Sequence, residues 1–247
     1  MPDACFDHPR LAGIYDAFDG GRTDLDAYLA IVGTLDPARI VDIGCGTGTP
    51  ALRLARTGRT VIGADPAAAS LEVARAKPDS SSVTWLHAGA AELPGVWHGR
   101  EPADLALMIG NVAQVFRTDD DWAAALRGIR RVTRPGGHLV LESRRPEFRG
   151  WEEWVEVNTP TTLEVAGVGA VERRFSLTEV KLPFVTFRYE YRFHADGTIL
   201  TSDSTLRFRS EDEITTSLAE TGFDVLDVRE APDRPGREYV FLTRVAG

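Results

Sequence analysis

Glycines 44, 46 and 48 stand in the run VDIGCGTGTP, residues 41–50, between an apolar stretch that reads as a strand and a segment that reads as a helix. In a doubly wound sheet such a turn lies at the carboxyl ends of the strands, where ligands collect. Glycine there lets the backbone turn sharply and come close to a ligand. The spacing disfavours two ligands. A dinucleotide fingerprint needs its third glycine at position 49, which is Thr49, and a Walker A loop needs a lysine that this run lacks. Asp65 closes the next apolar run, 21 positions after Gly44, where a carboxylate can accept hydrogen bonds from both hydroxyls of a ribose. An adenosine ligand without phosphates fits this pattern best.

Other reactive side chains are scattered. Tyr15, His87, His194 and Glu142 are candidate general bases. His87 and Glu142 rank above His194 because each stands near the end of an apolar run, at the ligand edge of the sheet. Arg144 and Arg145, just past such a run, could hold an anionic acceptor through bidentate hydrogen bonds. Phe148, Trp151 and Trp154 could wall a planar or apolar acceptor, although packing is the commoner fate of any one of them. Cys5 and Cys45 make no disulfide framework, and the five histidines show no ligand spacing. No metal is expected.

The elements that must position these groups follow from periodicity. Residues 39–143 alternate short apolar runs with amphipathic segments, the signature of βαβ units. Strands are expected at 39–44, 60–65, 83–87, 103–110 and 138–143, with helices at Pro50–Thr57, Ala67–Ala76 and Asp119–Val132. Pro50 suits a first helical turn because its missing N–H would have no partner there. Residues 11–35 read as one amphipathic helical stretch, and residues 144–154 as a turn and a short aromatic helix. Beyond that, Val185, Phe187, Tyr189, Tyr191 and Phe193 alternate with polar residues, as on a half-buried antiparallel strand. The Asp196-Gly197 turn then returns the chain along 198–209, and 169–182 supplies a third strand. Ser210 and Glu213 read as a capping box opening a helix to Thr221, with Gly222 as its stop. Strands at 224–230 and 237–245 close the chain.

Composition narrows the partners. The chain has 247 residues, 43% of them hydrophobic, and a formal net charge of −9. That balance leaves little for a phosphate backbone, so small molecules are expected and nucleic acid is not. No stretch approaches the roughly 18 consecutive apolar residues of a membrane helix, and MPDACFDHPR has acidic residues and proline where a signal peptide would be basic then apolar. A cytoplasmic location without membrane contact is expected.

The motifs, in order, resemble class I S-adenosylmethionine-dependent methyltransferases of the small-molecule type. VDIGCGTGT is similar to the family's first motif and VIGADPAAASLEVAR to its second. VTWLHAGAAELPG, ADLALMIGNVAQVF and IRRVTRPGGHLVLESRRP are similar to the third, fourth and fifth segments, so the match covers about residues 39–146. The resemblance implies an α/β fold: a Rossmann-like, doubly wound, mostly parallel sheet with an antiparallel β-sheet inserted after the fifth strand. Residues 1–38 would be a helical cover, 39–160 and 210–247 the core, and 161–209 the insert. It further implies that Asp42, Gly44, Cys45, Gly46, Thr47 and Gly48 surround the amino-acid part of S-adenosyl-L-methionine. Asp65 would bind the ribose, Pro66, Ala67, Ala90 and Ala91 would border the adenine, and Ile109, Gly110 and Asn111 would lie beside the reactive methyl group. The family often has an acidic residue directly after the glycine in segment three. Here the order is Gly89-Ala90-Ala91-Glu92, so backbone groups or Glu92 must serve the adenine.

A similar N-terminal segment covers the cofactor in many small-molecule members, which puts Tyr15 and Arg22 within reach. Tyr15 and Arg144 are the candidate catalytic residues. The reaction implied is methyl transfer to a small-molecule acceptor at an N, O or C atom, by in-line displacement. Two alternatives stay open: a nicotinamide-dependent oxidoreductase, and a non-enzymatic S-adenosylmethionine-binding regulator. The face from Val185 to Phe193 must be buried, either over the acceptor side or in a homodimer through the inserted sheet.

Overall fold

Apolar strands separated by amphipathic helices bury themselves by lying side by side between two helical layers. The computed structural model describes residues 1–21, 24–157, 160–231 and 233–247. In chain order it comprises α1 (Ala4–Asp7), α2 (Pro9–Asp19), α3 (Leu25–Leu35), β1 (Arg39–Ile43), α4 (Thr49–Ala55), β2 (Thr60–Asp65) and α5 (Ala68–Ala76). Then come β3 (Val83–His87), α6 (Leu93–Val96), β4 (Ala103–Met108), α7 (Asp119–Val132), β5 (Thr133–Arg144) and α8 (Trp151–Val157). The chain continues through β6 (Thr161–Val165), β7 (Gly169–Lys181), β8 (Phe184–Phe193) and β9 (Ile199–Arg207), and ends with α9 (Glu211–Glu220), β10 (Phe223–Glu230) and β11 (Glu238–Val245).

The larger sheet has the order β10-β11-β5-β4-β1-β2-β3. Strands β1 to β5 run parallel, and β11 is antiparallel to both β5 and β10. This is the doubly wound, mostly parallel sheet that the motifs imply. The chain leaves β1 toward β3 on one side and returns to β4 on the other. The crevice of a doubly wound fold therefore opens between the carboxyl ends of β1 and β4. On one face Trp122, Ala125, Leu126 and Ile129 of α7 pack with Ile214 and Leu218 of α9. On the other, Leu25, Tyr28 and Val32 of α3 pack with Ala51, Leu52 and Leu54 of α4.

Local chemistry sets the helix ends. Thr118 Oγ1 accepts the Asp121 N–H at 3.1 Å, and three aspartates in the first turn of α7 face Arg130 and Arg131 in its last. The Ser210 and Glu213 side chains complete the expected capping box on α9. The N-terminal stretch is not one helix. Gly20, at φ 75°, ends α2, and α3 starts at Leu25. A glycine at φ 75° and ψ −168°, a conformation that side-chain-bearing residues rarely adopt, stops the helical hydrogen-bond ladder there despite the continuing amphipathic pattern. Arg22 lies outside the described residues. Among the described residues, no helix is long and apolar enough to cross a membrane.

The second sheet is antiparallel in the order β6-β7-β8-β9, with β6 as a fourth strand beyond the three expected. Val185, Tyr191 and Phe193 of its apolar face are buried, and Phe187 and Tyr189 between them are half-buried. Leu11 and Ile14 of α2 cover Val171, Tyr191 and Phe193 at one end, and Trp151 of α8 packs with Val185 and Phe208 at the other. The chain's own helices thus bury both ends of the face.

Candidate functional site

A cavity of about 550 Å³ opens over the carboxyl ends of β1, β2 and β4, at the point where the chain reverses across the sheet. Asp42, Gly44, Cys45, Gly46 and Thr47 line it. A Cβ on Gly44 would stand 2.6 Å from Val112 Cγ2, so glycine alone lets the loop pass beneath the segment after β4. Gly48 does not line the cavity. At φ 82° it caps α4, and a Cβ there would meet Trp85 Cη2 at 2.4 Å. Gly48 therefore admits a tryptophan from β3.

Asp65 stands at the end of β2 with both oxygens already oriented. Oδ2 accepts the Gly46 N–H at 2.8 Å and Oδ1 accepts the Ala67 N–H at 2.7 Å. Burial pushes its carboxyl up from the ordinary aspartate value, while the Ala67 and Gly46 N–H groups oppose that shift. Each oxygen retains acceptor capacity toward the cavity that Asp65 lines. Pro66, Ala90, Ala91 and Glu92 form the neighbouring wall. Glu92 folds back over Gly89, where a Cβ would fall 2.5 Å from Glu92 Oε2. An acidic side chain thus reaches this wall from three positions past the glycine. Ala67 is fully buried under it.

Ile109 and Gly110 line the cavity; Asn111 does not. Asn111 adopts φ 60°, its N–H donates to Glu142 Oε1 at 2.8 Å, and its Nδ2 donates to Glu238 Oε1 at 3.1 Å. It supports the wall from behind, because two buried carboxylates draw its donors inward.

The cavity extends beyond this loop to Met1, Asp3 and Phe6, to Val115 and Arg117 after β4, and to Thr205 of β9. Tyr15 of α2 lines it, with its ring 5.3 Å from that of Phe6. Burial pushes the Asp3 carboxyl up, and a hydrogen bond with Ser204 and the charge of Arg117 oppose that shift. None of these residues apart from Tyr15 carries a sequence signal, because α1 and β9 meet the cavity only after the second sheet folds over it.

Arg144 is not at the cavity. Its NH1 donates to Gln114 Oε1 at 3.0 Å, its Nε stands 3.8 Å from Glu238 Oε1, and its guanidinium lies 5.3 Å from the Trp154 ring. Burial pushes its pKa down, with Glu238 and Glu142 opposing. Arg145 pairs with Glu230 at 3.7 Å and covers the Tyr239 ring at 4.4 Å. Both arginines are held by the carboxylates and rings that β11 and its flanks bring beside β5. Trp151 packs edge-on against Phe208 at 4.9 Å, so the 144–154 segment braces the second sheet.

The remaining base candidates separate. His87 is exposed, with Nε2 3.0 Å from the Pro66 carbonyl oxygen, and His194 is exposed on the second sheet. Glu142 is buried, accepting from the Tyr28 hydroxyl and the Asn111 N–H. Burial first and Glu238 second push its carboxyl up to about 7, against the opposing charge of Arg234. Tyr28, Gln114, Arg234 and Glu238 are members of this cluster that no sequence motif marks.

Residues 40–137 match the family described as methyltransferase domain. A demethylmenaquinone methyltransferase of Thermus thermophilus is 36% identical over 118 residues, 46% of this chain and 50% of that protein. The chain spans about half the length of the curated relatives it matches. Among solved structures, an S-adenosylmethionine-dependent methyltransferase from Clostridium acetobutylicum superposes with a TM-score of 0.75 at 14% identity, covering 96% of this chain and 98% of that one. CalS10 of Micromonospora echinaspora, an amino pentose methyltransferase with S-adenosylmethionine bound, gives 0.68 at 21% identity, covering 93% and 95%. At such identities the likeness is one of fold.

Proposed function

We propose, from the match of residues 40–137 to a methyltransferase domain, that this chain is a class I methyltransferase that transfers the methyl group of S-adenosylmethionine to a small-molecule acceptor. One observation carries the reading: a single cavity is lined both by the Asp42–Thr47 loop and Asp65 and by Tyr15, Asp3 and Thr205 from outside the loop. In this reading residues 1–38 are the cover, 39–160 and 210–247 the core, and 161–209 the insert. The matched domain and the early third glycine both count against a nicotinamide oxidoreductase, and the extension of the cavity beyond the glycine loop counts against a binding-only regulator.

The residues suit the cofactor. Asp65 is buried and rigid, as a partner for ribose hydroxyls must be. The wall of Pro66, Ala90 and Ala91 is apolar for adenine, with Glu92 beside it for an amino group. Asp42 and the amides of residues 44–47 face the part that carries the amino acid. S-adenosylmethionine supplies an activated methyl on sulfur, so the chain must chiefly align the acceptor in line with it and exclude water. Tyr15 orients the acceptor from α2. Arg144, held by Glu238 and Gln114, positions the wall without touching substrate.

Calorimetry with S-adenosylmethionine and S-adenosylhomocysteine tests the cofactor, and labelled methyl transfer against a metabolite panel and against RNA tests the acceptor. Binding of both ligands and transfer to a metabolite are expected. Folded protein that binds neither overturns the reading, and transfer to RNA but to no metabolite overturns the acceptor class.

A further inference from the structure

Behind the cavity wall lies a cluster of four charges. Glu142 on β5 and Glu238 at the start of β11 are 1% and 2% exposed. Arg234 NH2 stands 3.1 Å from Glu238 Oε2 and 3.8 Å from Glu142 Oε2, and Arg144 Nε stands 3.8 Å from Glu238 Oε1. The groups facing Glu142 are the Tyr28 hydroxyl from α3, Glu238 from β11, Arg234 from the segment before it, Arg144 from its own strand and the Asn111 N–H. Two carboxylates balance two guanidinium groups when both are ionised. A proton on Glu142 leaves one positive charge in excess.

One step along the chain links this cluster to the cavity wall. Ile109 and Gly110 line the wall, and the next N–H, that of Asn111, donates to Glu142. The donor and product of methyl transfer differ there by one charge: the sulfonium of S-adenosylmethionine is a cation, and the thioether of S-adenosylhomocysteine is neutral. We propose that the Glu142 carboxylate determines the preference of this site for donor over product, favouring the sulfonium when it is ionised and relinquishing that preference when it is protonated. The inference rests on the reading that S-adenosylmethionine binds here. At an effective dielectric of about 20, a unit charge roughly 12 Å from the sulfur alters cation affinity about tenfold. Burial and the neighbouring Glu238 lift Glu142 to about 7, which puts the change between about pH 6 and 8. Binding of the cation should in turn draw a proton off Glu142, since the linkage is reciprocal.

Calorimetric dissociation constants for S-adenosylmethionine and S-adenosylhomocysteine at about pH 6, 7 and 8, on the full chain, test this without any acceptor. The amino group of each ligand also titrates, so the readout is the wild type compared with Glu142→Gln, a mimic of the protonated state. In the wild type, preference for S-adenosylmethionine should rise with pH roughly tenfold more than in Glu142→Gln. Tyr28→Phe, which removes a hydrogen bond that favours the ionised carboxyl, should move the rise to higher pH, and it carries the test alone if Glu142→Gln does not fold. An equal rise in wild type and Glu142→Gln, or an unmoved midpoint in Tyr28→Phe, overturns the proposal. Wild type that is folded but binds neither ligand overturns the cofactor reading instead.

Discussion

The hydroxyl of Thr47 donates to Oδ1 of Asp16 at 2.5 Å, and Lys77 Nζ stands 2.5 Å from the other oxygen of the same carboxylate. The glycine loop and the helix that roofs it are thereby joined at one side chain. Asp16→Ala should weaken S-adenosylmethionine binding by about 1–2 kcal/mol and speed amide exchange across α2, because a charge-assisted bond is lost at the roof. Unchanged affinity and exchange would show that α2 is held elsewhere.

Asp65→Ala should weaken S-adenosylmethionine and S-adenosylhomocysteine alike, by about 1–3 kcal/mol. The carboxylate also accepts the Gly46 and Ala67 N–H groups, so the loop loosens together with the ribose contact. The raised carboxyl pKa implies that wild-type affinity falls on acidification earlier than an ordinary aspartate would dictate. Calorimetry across the acid range checks both statements, and a flat profile would contradict the second.

Gly128→Ala should destabilise the fold by about 1–3 kcal/mol, the usual consequence of overpacking. A Cβ on Gly128 of α7 would fall 2.0 Å from the Ala90 carbonyl oxygen, so relief requires the Ala90–Ala91 wall of the cavity to move. A lower melting temperature with weaker cofactor binding is expected from thermal denaturation and titration. Wild-type values of both in the Gly128→Ala protein would mean that the helix shifts freely.

Glu142 makes the stability of the wild type depend on pH. Its folded pKa of about 7 lies above the ordinary glutamate value of 4.5, so the folded state binds the proton more tightly than the unfolded state does. That contribution is fully present below about pH 4.5 and is lost as pH rises through about 7. The melting temperature of the wild type should therefore fall between about pH 5 and 8 more steeply than that of Glu142→Gln. Parallel melting curves for the two proteins would refute a buried, protonatable Glu142.

Tyr15→Phe and Arg144→Ala should separate. Tyr15 lines the cavity, so losing its hydroxyl should lower methyl transfer while leaving cofactor affinity and melting temperature nearly unchanged. Arg144→Ala removes one of the two cations that balance Glu142 and Glu238, and buried carboxylates left short of a partner destabilise by about 3–5 kcal/mol. Arg144 is partly exposed at its side chain, which places its loss toward the low end of that range. A stable Arg144→Ala protein with selectively lost acceptor affinity would return Arg144 to the substrate.

The sequence alone determined what acts over one turn of chain. The glycine run at 44–48, Asp65 at a strand end, the Ser210–Glu213 cap and the alternation from Val185 to Phe193 are local statements, since steric limits, capping and side-chain periodicity all operate between near neighbours. From these the parallel core, the hairpin and the glycine loop at the strand ends were legible. The roles of Gly48, Asn111 and Arg144 were not, because each depends on a residue far along the chain. Asn111 meets Glu238 across 127 positions and Tyr28 meets Glu142 across 114. Arg144 faces Glu238 only because β11 pairs with β5 in that antiparallel register. Register between distant strands is set by how whole apolar faces bury against one another, and no local pattern records it. Tertiary structure therefore decided where Arg144 is held, which residues complete the cavity beyond the glycine loop, and that two carboxylates share one buried site.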